Sequence, residues 1–219
     1  MTRIAFLGLG NMGGRMVARL REAGHDVIGF DPNEAACAAA REASIPIAET
    51  ARAAVSQAEC VVTMLPAGHH VLAAYAGENG ILRTLPPGGL VIDCSTIDVQ
   101  SAREAHAMAR QAGLMSVDAP VSGGTGGAAA GTLTFMAGGA LEAFEQARPI
   151  LAAMGSRIVH CGEAGAGQAA KICNNMILGI SMIAVGEAFV LAEKLGLSHQ
   201  ALYDVTWAVL AGRGATWTL

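Results

Sequence analysis

The chain has 219 residues, and 14 Lys and Arg against 18 Asp and Glu leave a formal charge of −4. Apolar residues at 53% supply a real core and exclude intrinsic disorder, while mild acidity with 15% charged residues gives no footprint for nucleic acid. Aromatics at 4% leave no stacking platform for bases, whereas 28 glycines suit close backbone packing.

Short β-branched runs alternate with alanine-rich helical runs over the first three quarters of the chain. Residues 3–7 read as a buried strand, 12–23 as a helix and 26–30 as a second strand. A helix at 34–42, a weak strand at 46–48 and a helix at 52–57 follow. Residues 60–65 form an apolar strand, with a helix near 70–76, then a strand at 90–94, a helix at 99–112 and a strand at 114–118. Residues 132–136 and 157–160 read as the last strands, separated by a helix near 141–154. The glycine-rich stretch 122–131 reads as a flexible connection. This rhythm predicts an α/β fold with a doubly wound, mostly parallel sheet.

After Gly162 the pattern changes. From about 168 to 195 only helix is legible. Gly196 stops it as a C′ residue, and Ser198 is the N-cap of a final helix through about 210. Residues 1–163 are thus expected to form one domain, and 164–219 to open a helical one that is cut short or completed by another chain.

Gly8-Leu9-Gly10-Asn11-Met12-Gly13 follows the first strand directly and opens a helix. That is the context a dinucleotide fingerprint requires: glycines for the tight turn, the approach of backbone to pyrophosphate, and helix-on-strand packing. The second strand ends in Asp31, where the ribose-binding acid of a Rossmann-type fold belongs. A carboxylate there repels a 2′-phosphate, and Pro32 and Asn33 supply no arginine to neutralise one, so NAD is favoured over NADP. Asp31 also begins an Asp-Pro turn, and the two roles are compatible.

Five scattered cysteines (37, 60, 94, 161 and 173), none in a CxxC pair, and an N-terminus without an apolar h-region imply reduced thiols in a cytoplasmic compartment. The apolar run 176–192 is broken by Glu187 and falls short of the ~20 residues of a membrane span, so no membrane association is expected. His69 and His70 are adjacent and lack metal-ligand spacing, and no metal is expected.

The segments IAFLGLGNMGG, TMLPAG, DCST, DAPVSGG and GAGQAAKICNNM occur in this order. Together they resemble the β-hydroxyacid dehydrogenase family along essentially the whole chain. The resemblance implies NAD-dependent oxidation of 3-hydroxyisobutyrate to methylmalonate semialdehyde, a step of valine breakdown. A tartronate-semialdehyde reductase or another β-hydroxyacid dehydrogenase is the alternative within the class, and a non-catalytic NAD-binding interaction module the alternative outside it. It also implies a homodimer or homotetramer through the C-terminal helices.

Within the family signature Gly165-x-Gly167-x-x-x-Lys171-x-x-Asn174-Asn175, Lys171 is implied as the catalytic acid/base. Asn175, one helical turn on, is implied as a holder of the substrate hydroxyl or carboxylate, and Asn174 as a tie to backbone. Ser122, Gly123 and Gly124 are implied as the carboxylate site, which suits successive exposed N–H groups. Gly8 to Gly13 and Asp31 are joined as cofactor contacts by Leu65, Pro66 and Thr96, just past strand ends. Arg15 and Arg19 depart from the family, Arg15 having either phosphate or solvent to face, and His70 replaces a common cofactor-contacting Asn. Relatives continue past Leu219 with a Lys-Asp-Leu-type motif that this chain lacks.

Overall fold

A computed structural model describes residues 1–76 and 80–212, with side chains through residue 206. It divides into two compact units, Met1–Ile172 and Cys173–Leu219. In the first, β1 (Arg3–Leu7) lies between β2 (Asp26–Phe30) and β3 (Cys60–Thr63), parallel to both. The chain therefore leaves β1 to one side and returns to the other, which opens a crevice at the carboxyl edge of the sheet. β4 (Leu90–Asp93) and β5 (Met115–Asp118) extend the parallel series. β7 (Leu133–Gly138) is antiparallel to β5, pairs antiparallel with the short β6 (Val121–Ser122), and pairs parallel with β8 (Gly155–Gly162).

Strand side chains alternate between faces, so β1 feeds two separate cores. Ile4 and Phe6 pack with Met16, Val17 and Leu20 of α1 (Gly13–Glu22), while Ala5 and Leu7 pack with Val55, Val61 and Val91 on the other side. The remaining helices of this unit are α2 (Glu34–Glu42), α3 (Ala51–Val55), α4 (Gly68–Tyr75), α5 (Val99–Gln111), α6 (Gly124–Ala130) and α7 (Leu141–Ala152). With both sheet faces covered, continuous apolar runs such as Cys60–Thr63 are buried at every position.

Three expectations are corrected. Residues 46–48 form no strand; Ile47 makes an isolated bridge to Gly29 beside Pro46, whose ring cannot donate to a ladder. The stretch 122–131 holds β6 and α6, because Ala128 is buried and Gly131 ends the helix in the left-handed region at φ +68°. The third concerns α8 (Ala166–Lys194), which runs 29 residues and is long and apolar enough, by length and composition, to cross a membrane. Counting only the unbroken apolar run missed this, since helix continues through the flanking small and polar residues.

In the second unit, Met176, Ile180, Ile183 and Leu191 of α8 are each more than half exposed. Gly196, at φ +76°, ends the helix as expected, and the Leu197 N–H donates to the Ala192 carbonyl. The Ser198 hydroxyl accepts from the Ala201 N–H (3.2 Å) and caps α9 (His199–Gly212). Of the chain-end segment beginning at Gly212, residues 213–219 lie outside the described residues.

Candidate active site at the carboxyl edge of the sheet

Gly8 leaves β1 at φ +99°, and its N–H donates to the Phe30 carbonyl (2.9 Å). A β-carbon there would lie 2.2 Å from the Met64 carbonyl oxygen, and one at Gly13 would lie 1.8 Å from that of Gly8. Only glycine lets α1 begin so close to the strand end. Gly10 has nothing within 4 Å of its would-be β-carbon, so this backbone is open to a ligand. Among the described residues, the N–H groups of Gly10, Asn11 and Met12 have no hydrogen-bond acceptor, and Met12 provides no side-chain cap. Unpaired donors at the positive end of a helix dipole suit a pyrophosphate. Asp31 is fixed beside them: Oδ2 accepts from the Leu9 N–H (2.7 Å) and Oδ1 from the Asn33 N–H (2.8 Å). Each oxygen keeps a further lone pair for a ribose hydroxyl. Arg15 is exposed, and its guanidinium donates to the Asn11 carbonyl.

The loops after β3 and β4 are joined by a buried network. Asp93 Oδ1 accepts from Thr63 Oγ1 (2.7 Å), the Ser95 N–H (3.1 Å) and the Ser95 hydroxyl, which in turn accepts from the Leu65 N–H (2.8 Å). Pro66 and Thr96 are exposed on the same edge. Among the described residues Asp93 Oδ2 is buried without a hydrogen-bond partner. Burial pushes the Asp93 carboxyl up to about 6, opposed by the Ser95 and Thr63 hydrogen bonds and aided slightly by the charge of Asp118, its neighbour in strand register.

Asp118, 1% exposed, ends β5 and holds the start of α8. Its Oδ1 accepts from the Gly165 N–H (2.8 Å) and from His106 Nε2 (2.9 Å), and its Oδ2 accepts from the Gln168 N–H (2.9 Å). Gly165 adopts φ +81°. A β-carbon at Gly167 would lie 2.3 Å from the Met136 carbonyl oxygen, and one at Gly138 would lie 2.5 Å from Asp118 Oδ1. Gln168, fully buried, donates to the Ser95 carbonyl (2.7 Å) and accepts from the Ile97 N–H (3.1 Å). Three residues later Lys171 is half-buried, and that burial lowers its pKa from the ordinary lysine value.

Ser122 is half-buried, and Gly123 and Gly124 are exposed, at φ +129° and +61°. Among the described residues the Ser122 hydroxyl has no hydrogen-bond partner. The first unit thus brings the fingerprint glycines, Asp31, Leu65, Pro66, Thr96, Ser122 to Gly124 and Lys171 to one sheet edge or the helix start bonded to it. Asn175 lies in the second unit and is exposed. Asn174 is also exposed, and among the described residues its side chain makes no hydrogen bond. His69 and His70 lie against each other at the exposed start of α4, and no metal-binding cluster of His, Cys, Asp or Glu occurs among the described residues.

Sequence reasoning missed Asp93, Ser95, His106, Asp118 and Gln168 as working residues. The available signal was a carboxylate ending an apolar strand, found in both β4 and β5, and a lone glutamine opening an alanine-rich helix.

Residues 3–162 match the family described as the NAD binding domain of 6-phosphogluconate dehydrogenase. Residues 165–219 match the family described as NAD-binding of NADP-dependent 3-hydroxyisobutyrate dehydrogenase. A probable 3-hydroxyisobutyrate dehydrogenase of Mycobacterium tuberculosis is 51% identical over the whole chain, which spans 72% of that relative. An NAD-dependent L-serine dehydrogenase of Pseudomonas aeruginosa is 47% identical with the same coverage. The solved structure of Mycobacterium tuberculosis 3-hydroxyisobutyrate dehydrogenase with L-serine superposes with a TM-score of 0.92, covering 100% of this chain and 74% of that one.

The network around Asp93 has a pH signature. Its carboxyl is raised in the folded state to about 6, so its stabilising contribution is present at low pH and is lost as pH rises through that value. From pH 7 to pH 5 the wild-type protein is expected to gain roughly 1 kcal/mol from this group. Asp93→Asn keeps an acceptor for Thr63 and Ser95 but cannot titrate. Thermal unfolding at the two pH values should show the gain in wild type and its absence in the variant.

Proposed function

The chain belongs to the 3-hydroxyisobutyrate dehydrogenase family, and from that premise we propose that it oxidises 3-hydroxyisobutyrate to methylmalonate semialdehyde with NAD. The observation that carries this reading is a half-buried lysine of lowered pKa whose helix is bonded to the strand ends beside the dinucleotide turn. NAD, when bound, supplies the carbon that accepts hydride from the substrate's carbinol. Gly10, Asn11 and Met12 offer their free N–H groups to the pyrophosphate, and Gly8 and Gly13 give the backbone its tight turn. Asp31 takes the ribose hydroxyls, Leu65 and Pro66 flank the adenosine half, and Thr96 lies by the nicotinamide half. Residues 1–163 make up the NAD-binding domain, and 164–219 open the helical one.

On the substrate side, the Ser122 hydroxyl and the Gly123 and Gly124 N–H groups hold the carboxylate. Lys171 in its neutral form takes the hydroxyl proton as hydride departs, so the oxygen never carries a full negative charge. Burial favours that neutral form by disfavouring the ammonium. Asn175, one turn further along α8, serves the hydroxyl or carboxylate. L-serine is a second substrate of the same site, supported by the L-serine dehydrogenase relative and by the solved relative with L-serine. It carries the same hydroxyl and carboxylate, with an amino group where 3-hydroxyisobutyrate has a methyl. The five free cysteines suit a reducing cytoplasm.

The apolar surface of the second unit is assigned to a homodimer or homotetramer, since a helix with Met176, Ile180 and Ile183 in water is costly.

Lys171→Ala should lower kcat by roughly 10²- to 10⁴-fold, the usual range for a general acid/base, while NAD binding by fluorescence titration is kept. An unchanged rate would remove Lys171 from the proton path. In wild type the oxidation rate should rise with pH through a pKa below that of free lysine. Steady-state kinetics with both cofactors should favour NAD, and Asp31→Ala should narrow that preference. Light scattering should give a mass above one chain, and Ile180→Glu with Ile183→Glu should shift it toward the monomer.

A further inference from the structure

We propose that Gln168, gripped through its backbone by Asp118, is a positioning residue that fixes the amine of Lys171 relative to Thr96; this rests on the enzymatic role of Lys171 proposed above. One side chain, that of Gln168, bonds on both sides of Thr96: its amide donates to the Ser95 carbonyl and its oxygen accepts from the Ile97 N–H. Less than one helical turn separates Gln168 from Lys171. The backbone N–H of the same residue is held by Asp118 Oδ2, and the N–H of Gly165 by Oδ1, so the opening turn of α8 is pinned at two points to the end of β5.

The Asp118 carboxylate is itself fixed. It accepts from His106 Nε2, and Ser116 Oγ lies 2.6 Å from His106 Nδ1. With the first nitrogen donating to a carboxylate, a neutral imidazole takes its second hydrogen bond from the serine hydroxyl. The glycines complete the arrangement from the steric side. At Gly167 a β-carbon would collide with the Met136 and Asp118 carbonyl oxygens, and at Gly138 one would collide with Asp118 Oδ1 and the Gly167 and Ala166 nitrogens.

A purely stabilising contact has no need of this chemistry. Buried polar pairs often stabilise no more than apolar residues of the same volume, while specifying geometry more narrowly. Here the geometry specified is the spacing between the loop carrying Thr96 and the helix carrying Lys171. Misplacement of a reacting group by about 1 Å can reduce a rate by roughly 100-fold.

The chain has only two lysines, Lys171 and the exposed Lys194, which makes a direct test possible in the full 219-residue protein. Reductive ¹³C-methylation followed by NMR titration reads the pKa of each, with Lys194 as the internal reference. Gln168→Met conserves volume and removes both side-chain bonds to the Thr96 loop. The expected result is that the Lys171 resonance titrates at higher pH than in wild type, toward Lys194. With it, kcat should fall about ten- to a hundredfold while NAD affinity is little changed. If the variant only melts at lower temperature, with the Lys171 titration and the kcat of the folded protein unaltered, the positioning role is overturned. Should Gln168→Met fail to fold, Asp118→Asn keeps size and one acceptor and is read by the same two measurements. Wild-type protein without turnover on any β-hydroxyacid would defeat the enzymatic role instead, and the NMR comparison would still decide whether Gln168 sets the environment of Lys171.

Discussion

The carboxylate of Asp118 stands at the end of β5 and takes up the N–H groups of Gly165 and Gln168 at the start of α8. Burying an ionised group costs several kcal/mol, and here that cost is met by three donors and by the positive end of a 29-residue helix. Helix starts that approach a sheet edge usually leave their N–H groups to water or to a local cap. In this chain a cap comes from 47 residues before Gly165, so the position of the helix is set by the sheet as well as by the turn in which the Ala166 N–H donates to the Glu163 carbonyl. Everything that Lys171 can do depends on that register.

A second buried carboxylate does comparable work one strand away. Asp93 ends β4 in register with Asp118 and gathers Thr63 and Ser95, and through Ser95 the backbone of Leu65. The two networks meet at the Ser95–Ile97 backbone, where Gln168 bonds. Two neighbouring carboxylates in a low dielectric repel, and their separate donor sets keep this tolerable. One of them, Asp93, still has an unpartnered oxygen and a pKa near 6. The cofactor loops thus rest on a polar floor whose members are few, buried and mutually dependent.

Most of the sheet was legible because short, continuous apolar runs and alanine-rich helices alternate so regularly. Where composition turned almost wholly to glycine and alanine, as at Gly124–Ala130, the pattern carried no face and a helix was mistaken for a loop. The weak run at 46–48 failed for the opposite reason, having β-type residues but a proline against the only strand it could join. At the site, the fingerprint glycines and Asp31 were readable since their chemistry is local to one βαβ unit. Asp118 and Gln168 were not, because their partners lie 50 and 71 to 73 residues away, and no periodicity records a contact of that span.

The signature around Lys171 can now be resolved into physical parts. Gly165 is there for a left-handed backbone angle, and Gly167 because a β-carbon would strike two carbonyl oxygens. Gln168 and Asp118 bond the helix start to the strand ends and to the loop carrying Thr96, and the acid/base task proposed above falls to Lys171. In the proposed reading, Ser122 to Gly124 address the substrate's carboxylate. The roles proposed for these groups are directed to the atoms that 3-hydroxyisobutyrate and L-serine have in common, the hydroxyl and the acid. A methyl and an ammonium at the carbon between them differ in charge and in hydration, and none of the roles proposed above is directed to that carbon. On that reading, choice between the two substrates falls to side chains other than those assigned to the reaction.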